Sequence, residues 1–125
     1  MNHNFKIMVV EDEAITAMMI CSELDLKGYT VGEPVSSGEE AILRAVSEKP
    51  DLILMDVGLG GGIDGITAAE DIHSKIHPHL IFMTGYSSDT CTERGKKLNP
   101  VTFITKPLQM NELYRVIDNL IHDKQ

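Results

Sequence analysis

DLILMDVGLGGGIDG, residues Asp51–Gly65, decides how the rest of the chain is read. Leu52–Met55 is an unbroken apolar run, the pattern of a strand buried on both faces. It ends in a carboxylate, Asp56, and five glycines follow within nine residues. The strand could simply surface, leaving Asp56 in water. Alternatively, Asp56 stands where something approaches the backbone closely, which glycine permits. What the other strands carry at the same end decides between the two.

Working outward, FKIMVV (Phe5–Val10) is a second short apolar run, and it too ends in acid, at Glu11-Asp12-Glu13. Ala14, Ala17, Met18, Cys21 and Leu24 follow at helical spacing, and Gly28 marks the stop. YTVGEPV (29–35) reads as a weaker strand at an edge or strand end, because of Pro34. Ser37 with Glu40 matches a capping box, opening a helix through Val46 that ends before Pro50. After the central strand, Asp64 can cap a helix carrying Ile66, Ala69, Ile72 and Ile76 on one stripe. Leu80–Thr84 and Val101–Thr105 are the fourth and fifth strands. Between them SSDTCTERGKKLNP has little apolar periodicity, and a short, exposed or mobile helix is expected there. Leu113, Val116, Ile117, Leu120 and Ile121 mark a last helix.

Strands alternating with helices predict an α/β fold: a doubly wound, five-stranded parallel sheet with helices on both faces. Five strands favour the flavodoxin-like order 2-1-3-4-5. A length of 125 residues suits one domain, expected over 1–125. No run of 18 apolar residues is present, so no membrane span is expected. No signal-peptide pattern opens the chain. A net charge of −8 argues against nucleic-acid binding by this domain. Cys21 and Cys91 have neither metal nor disulfide spacing, so reduced thiols in a cytoplasmic protein are expected.

In a parallel sheet every strand ends on the same edge. Glu11 and Asp12, Asp56, Thr84 and Lys106 are therefore expected to be neighbours in the crevice where such folds bind ligands. Crowded carboxylates repel, and a hard divalent cation relieves that. Mg²⁺ takes oxygen ligands and keeps several waters. Asp12 and Asp56 could bind it directly, Glu11 through water, and the Gly58 carbonyl could add an oxygen. A partly hydrated cation beside a carboxylate suits a phosphoryl group. Lys106 and Thr84 would take its remaining oxygens. Asp56 could then be the nucleophile, forming an aspartyl phosphate.

The ordered set VVEDE, ILMD, MTGY and ITKP closely resembles the receiver domain of two-component response regulators, over about Phe5 to Ile121. The resemblance implies a stand-alone phosphorylation switch. Asp56 would accept phosphate from a histidine on a sensor histidine kinase or histidine phosphotransfer protein. Glu11 and Asp12 would be the acidic Mg²⁺ pair, Thr84 the switch hydroxyl and Lys106 the family's lysine. Phe103 falls at the aromatic switch position, where the family often has tyrosine. Lys106-Pro107 should be cis. Thr84 would move toward the phosphoryl group and Phe103 would turn inward. A downstream protein target would read the face of the fourth helix, fifth strand and fifth helix. The domain would be no enzyme beyond its own phosphoryl transfer and dephosphorylation, and a monomer or weak dimer. The glycine loop is one residue longer than the commonest family pattern and lacks the usual proline. Gly58 and Tyr86, two residues after Asp56 and Thr84, fall at positions that the resemblance implies would influence how fast water attacks the phosphoaspartate.

Other signals compete less well. Gly60, Gly62 and Gly65 fit G-x-G-x-x-G, but behind the third strand and beside Asp56, where a pyrophosphate would be repelled. His73 and His77 are four apart, with His79 nearby, yet no accompanying motif makes a zinc site. An aspartate-nucleophile phosphohydrolase would place a second aspartate at Gly58 and would need a cap. A receiver that works without phosphate would not need all five site residues.

Overall fold

The computed structural model describes residues 4–85 and 89–123. Five strands alternate with five helices among them. These are β1 (Lys6–Val10), α1 (Ala14–Leu26), β2 (Thr30–Val31), α2 (Gly38–Glu48) and β3 (Leu52–Asp56). Then follow α3 (Gly65–His73), β4 (His79–Thr84), α4 (Asp89–Lys96), β5 (Thr102–Thr105) and α5 (Met110–Asp123). All strand pairs are parallel, in the order β2-β1-β3-β4-β5. The fold is the expected flavodoxin-like arrangement.

β3 is buried at every residue because it lies at the centre, between β1 and β4. Its side chains alternate between two cores. Leu52 and Leu54 pack with Ile20 and Leu24 of α1 and with Leu113 and Ile117 of α5. Ile53 and Met55 pack with Ala41 and Ala45 of α2 and with Ile66, Ala69 and Ile72 of α3. The helices thus cover both faces, and each core excludes water from one side of the sheet.

Local signals explain several boundaries. The Ser37 hydroxyl accepts from the Glu40 N–H (3.1 Å), and the Asp64 carboxylate accepts from the Thr67 N–H (2.7 Å). Each satisfies an otherwise unpaired helix donor. Gly28, with φ +98°, ends the turn after α1 in a conformation other residues resist. β2 is only two residues long; Val35 resumes pairing beside Val10 after Pro34 interrupts the ladder.

Two expectations are corrected. On α1 the buried face is Ala17, Ile20 and Leu24, whereas Met18 is 65% exposed and Ala14 lies outside the core. The helix is apolar nearly all round, so spacing alone did not select its face. Ile76 falls beyond the end of α3 at His73, although it still packs against the core.

Candidate functional site

The site is built on the strand ends. β1 delivers Glu11 and Asp12, β3 ends in Asp56, β4 ends in Thr84, and Lys106 directly follows β5. Backbone bonds continue the sheet past these residues. The Val57 N–H donates to the Met83 carbonyl (2.9 Å) and the Lys106 N–H to the Thr84 carbonyl (2.7 Å). The Lys106-Pro107 peptide bond is cis. Gly65 permits the turn after Asp56, since a Cβ there would overlap the Asp56 carbonyl oxygen.

Glu11 and Asp56 are the buried charged residues among those described. Lys106 Nζ lies 2.8 Å from Glu11 Oε1 and 3.0 Å from Asp56 Oδ2, so one ammonium pairs with both. The Gly58 N–H donates to Asp56 Oδ1 (2.9 Å), and the Glu13 N–H to Glu11 Oε2 (3.0 Å). Asp12 is exposed and accepts from the Gly60 N–H (3.1 Å). Burial pushes the Glu11 carboxyl above its ordinary range, and Lys106 and the Glu13 N–H oppose this only in part. Burial works against the Lys106 ammonium, yet its bonds to Glu11 and Asp56 outweigh it and raise its pKa. The Gly60 N–H holds Asp12 below its ordinary range.

These residues fit a hard cation. One carboxylate oxygen from each of Glu11, Asp12 and Asp56 lies within 4.8 Å of the other two. All three donors are oxygens, and three negative charges face one positive charge. Glu11 Oε1 is buried and has the Lys106 ammonium, 2.8 Å away and shared with Asp56, as its partner. Such an arrangement gains from a further positive charge. The Gly58 backbone sits against Asp56 through its N–H.

Thr84 and Lys106 line one cleft of about 680 Å³, together with Glu11, Met19, Pro107 and Leu108. Phe103 is not at the carboxylates. It packs on the α2–α3 side, its ring stacked on Phe82 with centroids 5.3 Å apart. Gly95 of α4 makes room for the ring tip: a Cβ there would come within 2.9 Å of Phe103 Cζ. Tyr86 lies outside the described residues, as does the Cys91 side chain.

Sequence reasoning missed three features. The Gly60 N–H on Asp12 is a backbone group, which no residue type announces. Arg94 of α4 reaches back to α3, donating to Glu70 Oε1 (2.6 Å) and Thr67 Oγ1 (3.0 Å). Those partners lie 24 and 27 residues away, so helical spacing could not reveal them. Ile15 (85% exposed) and Met18 stand on the open side of α1, and Met19 lines the cleft. The dinucleotide reading of the glycines has no support in the geometry. Gly60 faces the Asp12 carboxylate, and a Cβ on Gly62 would meet that of Glu39. His73 and His77 stack edge to face at 5.6 Å, and His73 Nε2 lies 3.1 Å from the Pro78 carbonyl oxygen. No metal-sized cluster includes them among the described residues.

Residues 7–118 match the family model described as the response regulator receiver domain. The transcriptional regulatory protein PdtaR of Mycobacterium tuberculosis is 31% identical over 113 residues, which are 90% of this chain and 55% of that protein. The alkaline phosphatase synthesis transcriptional regulatory protein PhoP of Bacillus subtilis is 33% identical over 88% of this chain and 45% of its own length. The chain spans about half the length of these curated relatives. Among solved structures, the signal receiver domain of a modulated diguanylate cyclase from Desulfovibrio desulfuricans superposes with a TM-score of 0.86 at 31% identity. It covers 95% of this chain and 94% of that one. A CheY-like receiver domain protein from Methanospirillum hungatei shares the fold at a TM-score of 0.87 and 23% identity, with 94% of each chain covered. No helix among the described residues is long and apolar enough to cross a membrane.

Proposed function

This chain belongs to the family of response regulator receiver domains, and from that premise we propose how it switches. Membership makes it a signalling domain of two-component systems. In our reading the whole chain, 1–125, is one such domain, cytoplasmic, and a monomer or weak dimer. Asp56 is its phosphoacceptor, and the donor is a histidine of a sensor histidine kinase or histidine phosphotransfer protein. An Asp56 carboxylate oxygen attacks phosphorus as the nitrogen–phosphorus bond of the donor breaks, and the imidazole leaves with the electron pair.

The observation that carries the reading is the Asp56 carboxylate itself. It is buried at a strand end, held by the Gly58 N–H and paired with Lys106, beside two further carboxylates. Lys106 offsets charge on the phosphoryl oxygens, and Thr84 reaches them from the neighbouring strand end. Glu11, Asp12, Asp56 and the Gly58 carbonyl would hold Mg²⁺, which when bound neutralises charge on the transferring group. Ile15, Met18 and Met19, exposed or lining the cleft beside the site, support a protein as the donor. Output goes through Thr84 and Phe103 to the α4–β5–α5 face and on to a downstream protein, with no nucleic acid bound by this domain.

The test is intact mass after incubation with a small phosphodonor and Mg²⁺. One added phosphoryl group is expected in wild type, lost in Asp56→Asn and lost with chelator. Wild type that gains nothing, while still failing to bind beryllofluoride with Mg²⁺, would sink the reading in favour of a phosphate-independent receiver. Retention of the adduct in Asp56→Asn would move the acceptor elsewhere.

A further inference from the structure

We propose that the glycine-rich β3–α3 loop is a positioning element for the metal. The Gly60 N–H holds Asp12 in its ligating orientation, and Glu39 of α2 holds the loop that carries Gly60. The proposal deepens the Mg²⁺ reading and rests on it.

Asp12 is exposed, so its side chain is free to turn unless something holds it. The Gly60 N–H donates to Asp12 Oδ2 at 3.1 Å. It does so while a carboxylate oxygen of Asp12 lies within 4.8 Å of oxygens of Glu11 and Asp56. The loop is itself tied at both ends. At its start the Gly58 N–H donates to Asp56 Oδ1 (2.9 Å). At its end the Ile63 N–H donates to Glu39 Oε2 (3.3 Å).

Packing brings α2 flush against the loop. A Cβ on Gly62 would come within 2.6 Å of Glu39 Oε2, and one on Gly38 within 2.7 Å of Ile63 Cγ1. The absence of a side chain at both glycines leaves room for the approach in which Glu39 reaches the Ile63 N–H. Gly61, with φ +75°, turns the backbone between Gly60 and Gly62 in a conformation that larger residues resist. Glu39 touches no ligand atom and acts through the loop. It is a positioning residue of the kind that orients metal ligands from outside.

The experiment measures the Mg²⁺ dissociation constant by calorimetry, without phosphodonor, for wild type, Gly60→Pro, Gly60→Ala and Glu39→Ala. Thermal melts in chelator run alongside. Gly60→Pro removes the N–H. Gly60→Ala keeps it, and its Cβ would sit 3.5 Å from Asp12 Oδ2, an ordinary contact. Both bonds are exposed to water, so the effects fall at or below the lower end of the range for such outer partners. Gly60→Pro is expected to weaken Mg²⁺ binding ~3- to 10-fold, Glu39→Ala ~2- to 4-fold and Gly60→Ala less than ~2-fold. Melting in chelator should stay near wild type for Glu39→Ala.

Wild-type affinity in both Gly60→Pro and Glu39→Ala would overturn the proposal. So would equal weakening by Gly60→Pro and Gly60→Ala, which would place the effect in loop shape. Should Gly60→Pro not fold, Glu39→Ala alone decides. Wild type that binds no Mg²⁺ takes down the metal reading itself, whereas binding that ignores these variants takes down only the role of the loop.

Discussion

At the scale of single residues, the site is a charge imbalance stored at a sheet edge. Burial raises the Glu11 carboxyl above its ordinary 4.5, so the folded protein holds that proton more tightly than the unfolded chain does. The contribution to stability is full below about 4.5. It is lost as pH rises through the elevated folded value. The ionised form of Glu11 is therefore a cost to the fold that a cation can relieve. In chelator, Glu11→Gln should lose less stability than wild type between the ordinary carboxylate range and neutrality. Urea midpoints across that window check this, and parallel pH profiles would contradict it. Gly58 lies beside Asp56, its N–H donating to Asp56 Oδ1. A Cβ there would lie 3.7 Å from Asp56 Oδ1, an ordinary contact, so a side chain fits. Gly58→Arg should slow hydrolysis of the phosphoaspartate about tenfold, near 1.4 kcal/mol of barrier. Unchanged decay of the phosphorylated mass would refute control of access at this position.

At the scale of elements, α4 and β5 meet where a glycine leaves space. Phe103 stacks on Phe82 and its ring tip lies against Gly95. A Cβ on Gly95 would also come within 3.0 Å of Ile66 Cδ1. Gly95→Ala should push the Phe103 ring out of this niche and cost ~1–3 kcal/mol, the range for overpacking a core. Mg²⁺ affinity should not change, because Phe103 packs on Phe82 and beside Gly95 and not on the carboxylates. Aromatic NMR resonances of Phe103, read beside a Mg²⁺ titration, separate the two effects. Unmoved resonances would mean the helix yields instead of the ring. The Arg94 bonds to Glu70 and Thr67 hold α4 against α3 across the same seam. They make α4 a packed element despite its weak apolar pattern.

At the scale of the molecule, ligand binding at one edge should be felt by the whole fold. A cation that binds only the folded site stabilises it by RT ln(1 + [L]/Kd). At ten times its Kd, Mg²⁺ should add ~1.4 kcal/mol and raise Tm by roughly 4–6 °C for a domain of this size. Asp12→Asn should lose most of that rise. Thermal melts with and without Mg²⁺ measure it, and equal rises in both proteins would place the cation elsewhere.

The sequence by itself determined the element order, the parallel sheet and the edge to which Glu11, Asp12, Asp56, Thr84 and Lys106 converge. Apolar runs, caps and glycine stops are local, and parallel strands must end together, so those features needed no contact information. Tertiary structure alone decided which face of α1 is buried, because a helix apolar nearly all round gains from burying any face. It also decided that Gly60 and Glu39 support Asp12 and that Arg94 secures α4. Those bonds join backbone groups, or side chains dozens of residues apart, whose meeting depends on how the layers pack and not on any local period.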